Sequence, residues 1–151
     1  AGAGGWFGEG SVLKDEPRKY DLVAIADTRL AMMTRATFMW LFENSTGFNR
    51  FLVRQFNERL GQFIATTEYD RILSPKARVA RNISWFFNPI LYPVTKLEID
   101  IGQEELGLLA GVSRPVVSKS LQALEAEGLL RVEHSRIVVF DVEALGNYED
   151  D

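Results

Sequence analysis

Arg114, Ser118 and Lys119 fall within the stretch RPVVSK with no acid among them, and all three side chains can donate hydrogen bonds. Val117, Leu121 and Leu124 follow at spacings of four and three, so a helix here has one apolar face and a separate face carrying the donors. Donors on an unobstructed helix face suit acceptors fixed in a groove. Arginine or lysine can bond guanine O6 and N7 in the DNA major groove, where a good bidentate pair gives about 1–3 kcal/mol of discrimination. Ser113 is expected to cap this helix through its hydroxyl, and Pro115 is tolerated in the first turn because its missing N–H has no intrahelical partner to lose. Gly128 is placed to end it.

Other chemistry is poorly provided for. The chain of 151 residues has no cysteine and one histidine, His134, which excludes disulfides, a thiolate nucleophile and a multi-histidine metal site; no metal is expected. Glu104, Glu105, Glu125 and Glu127 have no histidine or glycine-rich loop near them in sequence and read as solvated helix faces, so no catalytic residue is assigned and no enzyme is expected. The net charge of −4 argues against indiscriminate coating of nucleic acid. Its distribution matters more: Arg114 and Lys119 are the only charged residues from Leu106 to Leu124, with Arg71, Lys76, Arg78 and Arg81 upstream and Glu149, Asp150 and Asp151 at the tail. The longest apolar runs, residues 22–26 and 137–140, are too short to cross a bilayer, so no membrane partner and a cytoplasmic location are expected. The opening Ala-Gly-Ala-Gly-Gly reads as an excised piece of a longer chain.

The elements that must hold the donors lie in residues 74–151. Ser74 and Pro75 begin a helix with Val79, Ile83, Phe86 and Phe87 inward, ended at Asn88-Pro89. KLEIDI is a short strand, and QEELGLLAGV a short helix with Leu106, Leu109 and Ala110 inward; Gly111 supplies a turn. LLRVEHSRIVVFD reads as two strands around a polar tip, His134-Ser135-Arg136. Helix, tight turn, helix and hairpin describe a winged helix-turn-helix, whose second helix enters the major groove with its N-terminal residues at the base edges. Arg114, Ser118 and Lys119 then read bases, Ser113 and the amides around Gln103 meet phosphate at helix N-termini, and His134 and Arg136 take a flanking phosphate. The alternative is a winged-helix protein-interaction module without DNA binding, for which charge reversal at Arg114 leaves activity unchanged.

Two zones precede it. Residues 38–73 predict a short helix, a break at residues 44–47 and a long helix, whose seam of Phe48, Leu52, Phe56, Leu60, Phe63 and Thr67 suits a second copy of the chain; a core helix of a larger monomer is the other reading. Residues 1–37 predict short β pieces, with Leu22-Val23-Ala24-Ile25 a strand and Asp27-Thr28 a turn, too few to close a sheet.

IGQEELGLLAGVSRPVVSKSLQALEAEGLLRVEHSRIVVFDVEAL resembles the DNA-binding domain of the Crp-Fnr superfamily of bacterial transcription regulators. GWFGEGSVL followed by LVAIADTRLAMMTRATF looks like the second half of their cyclic-nucleotide-binding-type β-roll. The resemblance implies an α+β, mostly α fold: a partial β-roll, a long dimerisation helix and a winged helix-turn-helix domain. It also implies a homodimer on a two-fold-related operator in double-stranded DNA, control by an effector in the β-roll, and RNA polymerase as a further partner. It places Arg114, Ser118 and Lys119 at base-reading positions and Ser113 on phosphate. Pro115 stands where many members read a cytosine with glutamate; proline has no acceptor and offers only apolar contact, for instance to a thymine methyl. In the sensor half, Glu9 of FGEG would hold a ribose hydroxyl and Arg18 or Lys19 a phosphate. Arg18-Lys19-Tyr20 replaces the arginine and small hydroxyl of cyclic-nucleotide binders, which disfavours a cyclic nucleotide as the effector.

Overall fold

The computed structural model describes residues 4–24, 27–93, 96–134 and 136–149. Ile25 and Ser135, assigned from the sequence to a strand and to the wing tip, lie outside the described residues, as do Asp150 and Asp151 of the acidic tail. The first element is a short helix, α1 (Glu9–Lys14), entered through Gly8 at φ 88°, a backbone angle that glycine adopts without strain. Next comes α2 (Arg35–Asn44), where the Thr34 hydroxyl accepts from the Thr37 amide at 3.2 Å. Ser45 alone separates it from α3 (Thr46–Ile72), whose first turn it caps by accepting from the Phe48 amide at 3.2 Å. The expected break at residues 44–47 thus shrinks to one serine that ends one helix and starts the next.

The expected strand before α2 is absent from the described residues. Leu22, Val23 and Ala24 have no regular structure, and part of GWFGEGSVL coils into α1. A strand is stabilised by a neighbour's ladder and cross-strand side chains, and no strand pairs with this segment among the described residues. Leu22, Val23, Leu30 and Met32 consequently stay exposed. The helical majority and the small antiparallel sheet agree with the expected class, and α1 is the regular element among the described residues before α2.

From Ser74 onward the expected order is met. Ser74 caps α4 (Pro75–Trp85), accepting from the Ala77 amide at 3.1 Å. Then follow β1 (Glu98–Asp100), α5 (Gln103–Ala110), α6 (Arg114–Ala126), β2 (Leu130–Glu133), β3 (Arg136–Val139) and α7 (Val142–Gly146). The sheet order is β1-β3-β2, all antiparallel, with Asp100 opposite Arg136 and Val132 opposite Ile137. Its inner face and the helices enclose one core, including Val79, Ile83, Leu106, Val117, Leu121, Leu124, Ile137 and Leu145. Phe87 joins this core, whereas Phe86 is only half-buried. Leu109 departs from expectation: α5 turns Leu106 and Ala110 inward and leaves Leu109 49% exposed, because a helix this short has room for one inward stripe. The sequence reading also lacked α7, which Asp141 caps at the Ala144 amide and which delivers Leu145 to the core.

Candidate nucleic-acid interface

The α5–α6 corner is set by two glycines. Gly111 ends α5 at φ 62°, and its neighbour Val112 donates back to the Gly107 carbonyl at 2.9 Å. A side chain at Gly107 would bring its Cβ within 2.7 Å of the Val112 carbonyl oxygen, so only glycine allows the turn to lie this close to α5. The Glu105 carboxylate accepts from the Gly102 amide at 3.0 Å and holds the start of α5. Ser113 occupies the N-cap position of α6, but its hydroxyl makes no capping bond. Its carbonyl takes the first helical amides instead, from Val116 at 2.9 Å and Val117 at 3.0 Å. The expected side-chain cap is therefore absent, and the exposed hydroxyl has no capping amide to satisfy.

Arg114, Pro115 and Lys119 are exposed on the N-terminal turns of α6, and Ser118 is half-exposed beside them. Helical spacing puts Arg114 with Ser118 on one ridge and Pro115 with Lys119 on the next. Neither Arg114 nor Lys119 enters an ion pair among the described residues. Val117 and Leu121 on the opposite side are buried, which fixes the rotation of the helix about its axis.

One cleft gathers Gln103 at the start of α5, Arg114 at the start of α6, and His134 and Arg136 at the wing. Four residues that the sequence placed on three elements thus share one surface. Arg136 is not free there. It pairs with Glu98 at 2.7 Å and Asp100 at 2.9 Å, and these neighbours, Asp100 foremost, hold its guanidinium more firmly in the charged form. Its partners come from β1, opposite in register, a pairing that depends on the sheet and not on local sequence. His134 sits at the tip with φ 29°, exposed.

Three of the four helix acids are not simply solvated faces. Besides Glu105, Glu125 accepts from the Val132 amide at 3.0 Å, tying α6 to the wing. Glu127 accepts from the Tyr148 hydroxyl at 2.7 Å and pairs with Lys76 at 3.2 Å. Desolvation pushes the Tyr148 phenol above its usual value of 10.0; Lys76 opposes this and Glu127 adds to it. Among the described residues no group of histidines, cysteines or acids could hold a metal ion.

The expected dimer seam divides. Leu52 is 2% exposed and so covered by the chain itself, and Phe48, half-buried, packs in the cluster of Trp6, Phe38 and Phe51. Phe56, Leu60, Phe63 and Thr67 are exposed, and Val53, which the sequence reading passed over, extends them at alternating spacings of three and four. In the sensor half, Glu9 and Lys19 line a cleft of about 330 Å³ with Lys14, Phe56 and Arg59. Glu9 is buried and paired with Arg59 of α3, which also donates to the Trp6 carbonyl. Lys19 reaches Glu16 at 3.6 Å, and Arg18 lies over the Phe7 ring, 5.7 Å from its centroid, rather than in the cleft. Arg59 was missed because one arginine among several in a long helix looks like surface; only the fold brings Glu9 to it.

Residues 77–148 match the family of Crp-like helix-turn-helix domains, and residues 1–45 match the cyclic nucleotide-binding domain family. The chain is 31% identical over 138 residues to the cyclic AMP receptor protein of Thermus thermophilus, covering 87% of this chain and 59% of that protein. It is 26% identical over 146 residues to the CRP-like cAMP-activated global transcriptional regulator of Mycobacterium tuberculosis, covering 92% of this chain and 63% of that protein. It therefore spans about three-fifths of the length of these relatives. Among solved structures, a transcriptional regulator of the CRP/FNR family from Thermus thermophilus shares the fold with a TM-score of 0.53 at 19% identity, over 63% of this chain and 52% of that one.

Proposed function

The chain belongs to the Crp-Fnr family of transcription regulators, and from that premise we propose that it binds a two-fold-related operator in double-stranded DNA as a homodimer. The observation that carries this reading is the pair of exposed cations, Arg114 and Lys119, unpaired among the described residues on the leading turns of α6. Arg114 and Lys119 donate to guanine edges, Ser118 adds an adaptable donor, and Pro115 meets a thymine methyl. Ser113 and Gln103 contact phosphate at helix N-termini, joined by His134. Arg136, neutralised by Glu98 and Asp100, braces the wing and contributes less to phosphate than its position suggests.

The second copy docks along Val53, Phe56, Leu60, Phe63 and Thr67, a seam that exposes apolar side chains at coiled-coil spacing. Residues 1–37 form the sensor-side piece, 38–73 the dimerisation part and 74–151 the reading domain. Effector control acts through the sensor side, and RNA polymerase is the downstream partner. Glu9 and Lys19 face the sensor cleft, but Arg18 stacks on Phe7, which keeps a cyclic nucleotide disfavoured although the relatives' names refer to cyclic AMP.

Selection of binding sites from random duplexes, followed by gel shifts on the selected operator, tests the reading. A palindromic site is expected, with Arg114→Ala weakening binding by about 1–3 kcal/mol and relaxing preference at one position per half-site. Recovery of no site, or an Arg114→Glu variant that binds like the parent, would leave a protein-interaction module as the better description.

A further inference from the structure

The outer face of the wing sheet carries more acid than base. Alternation along the strands turns Ile99, Ile137 and Val132 toward the core and sets Asp100, Arg136 and Glu133 side by side across β1, β3 and β2 on the other face. Arg136, on the central strand, thus has a carboxylate opposite it on each neighbour. Its Nε donates to Asp100 at 2.9 Å, and its Nη1 pairs with Glu98, two residues back on β1, at 2.7 Å. Glu133 is taken by Arg131 of its own strand at 2.6 Å, and Lys96, just before β1, reaches Glu98 at 3.8 Å. Across the three strands Glu98, Asp100 and Glu133 therefore face only Arg131 and Arg136, and both guanidiniums are engaged within the sheet. Arg136 is nonetheless exposed, and it lines the same cleft as Gln103, Arg114 and His134, where a phosphate has access to it.

We propose that Glu98 and Asp100 are positioning residues that hold Arg136 back from phosphate and so limit the sequence-independent affinity of the chain for duplex DNA. The inference rests on the reading of this surface as a DNA interface. A phosphate that takes Arg136 exchanges one ion pair for another. It also leaves two carboxylates facing the duplex, inside the roughly 8 Å over which charges act at physiological salt. Counterion release rewards only a cation that becomes paired with phosphate, and Arg136 is already neutralised by the protein. Arg114 and Lys119, with no ion pair among the described residues, meet no such competition. Attraction to DNA is thereby concentrated on α6, which faces base edges, and withheld from a strand residue that can reach only the backbone.

The experiment titrates the full chain against the selected operator and against a random duplex of equal length, across salt concentrations. The proteins are the parent, Glu98→Gln with Asp100→Asn, Arg136→Ala, and all three substitutions together; the amides keep shape and a hydrogen-bond acceptor while removing charge. One added phosphate contact per subunit steepens the log–log slope by about 0.9 and tightens binding about eightfold at about 0.1 M salt. The amide variant is expected to show this change on both duplexes. Arg136→Ala alone is expected to leave the parent's slope as it is, and in the amide variant to abolish the gain. A gain that survives intact without Arg136 reduces the acids to plain repulsion and overturns the proposal, as does a parent slope that falls with Arg136→Ala alone. Should the double amide variant melt below the assay temperature, Asp100→Asn, at an exposed position, is read for the same steepening. A parent that binds the operator while the amide variant keeps its slope overturns the restraint alone; absence of any duplex complex with parent and variants alike removes the operator reading as well.

Discussion

Gly107→Ala offers a test of how the reading helix is positioned, because the added methyl has a defined collision. Its Cβ would lie 2.7 Å from the Val112 carbonyl oxygen and 3.4 Å from Val117 Cγ2. The first of these is backbone, so relief requires the 111–113 turn, and with it the start of α6, to move away from α5. Overpacking of this kind costs about 1–3 kcal/mol, against which alanine recovers up to about 1 kcal/mol of helix propensity. The net expectation is a loss of about 1–2 kcal/mol, or about 4–8 °C in Tm per kcal/mol for a unit of 60–100 residues. Gly61, in the middle of α3, provides the matched control, since nothing lies within 4 Å of the corresponding position. Gly61→Ala is expected to stabilise by about 0.5–1 kcal/mol. Thermal unfolding followed by circular dichroism reads both variants, and gel shifts on the selected operator read the displacement of α6. A Gly107→Ala protein that melts at or above the parent temperature would refute the close approach as the reason for glycine there.

Leu121→Ala removes a fully buried side chain from the centre of the core and is expected to cost about 2–5 kcal/mol by denaturant titration, without altering base preference in whatever folded fraction remains. For Lys119→Ala, operator affinity measured across salt concentrations should fall, and the log–log slope should shrink by about 0.9 if the ammonium also neutralises a phosphate; an unchanged affinity at low salt would remove Lys119 from the interface. Val53→Glu with Phe63→Glu places charges on the seam at positions 66% and 71% exposed, and sedimentation is expected to report monomers; Leu52→Glu is expected instead to destabilise the fold itself. Because the folded-state value of Tyr148 is raised, its contribution is present below the unfolded value near 10 and is lost as pH climbs through the folded one. Tyr148→Phe is expected to flatten the decline in stability above about pH 10, and identical alkaline profiles would contradict the burial argument.

Legibility followed the range of the interactions involved. The winged helix-turn-helix could be read directly because its signals are local: Ser74-Pro75 opens α4, Gly111 turns α5 into α6, Gly128 ends α6, and Val117, Leu121 and Leu124 share a face at helical period. Arg114, Pro115, Ser118 and Lys119 were likewise legible as a surface, since burying one stripe of a helix leaves the other exposed. The Ser113 cap was misread because residue type marks the position of a cap but not the rotamer of its hydroxyl.

What tertiary structure decided is whatever depends on a partner distant in the chain. Arg136 looked like a free wing cation until β1 brought Glu98 and Asp100 beside it, and Leu52 looked like part of an intermolecular seam until the chain itself covered it. Leu22-Val23-Ala24 has the composition of a strand, but a strand is completed by hydrogen bonds from a neighbour, and among the described residues none pairs with it. The acids Glu105, Glu125 and Glu127 gained definite tasks, and Arg59 met Glu9, through approaches that no periodicity encodes. Helix faces and caps are set by neighbours a few residues apart and so are written in the sequence; charge pairing and burial depend on which distant segments meet, and only the folded chain determines that.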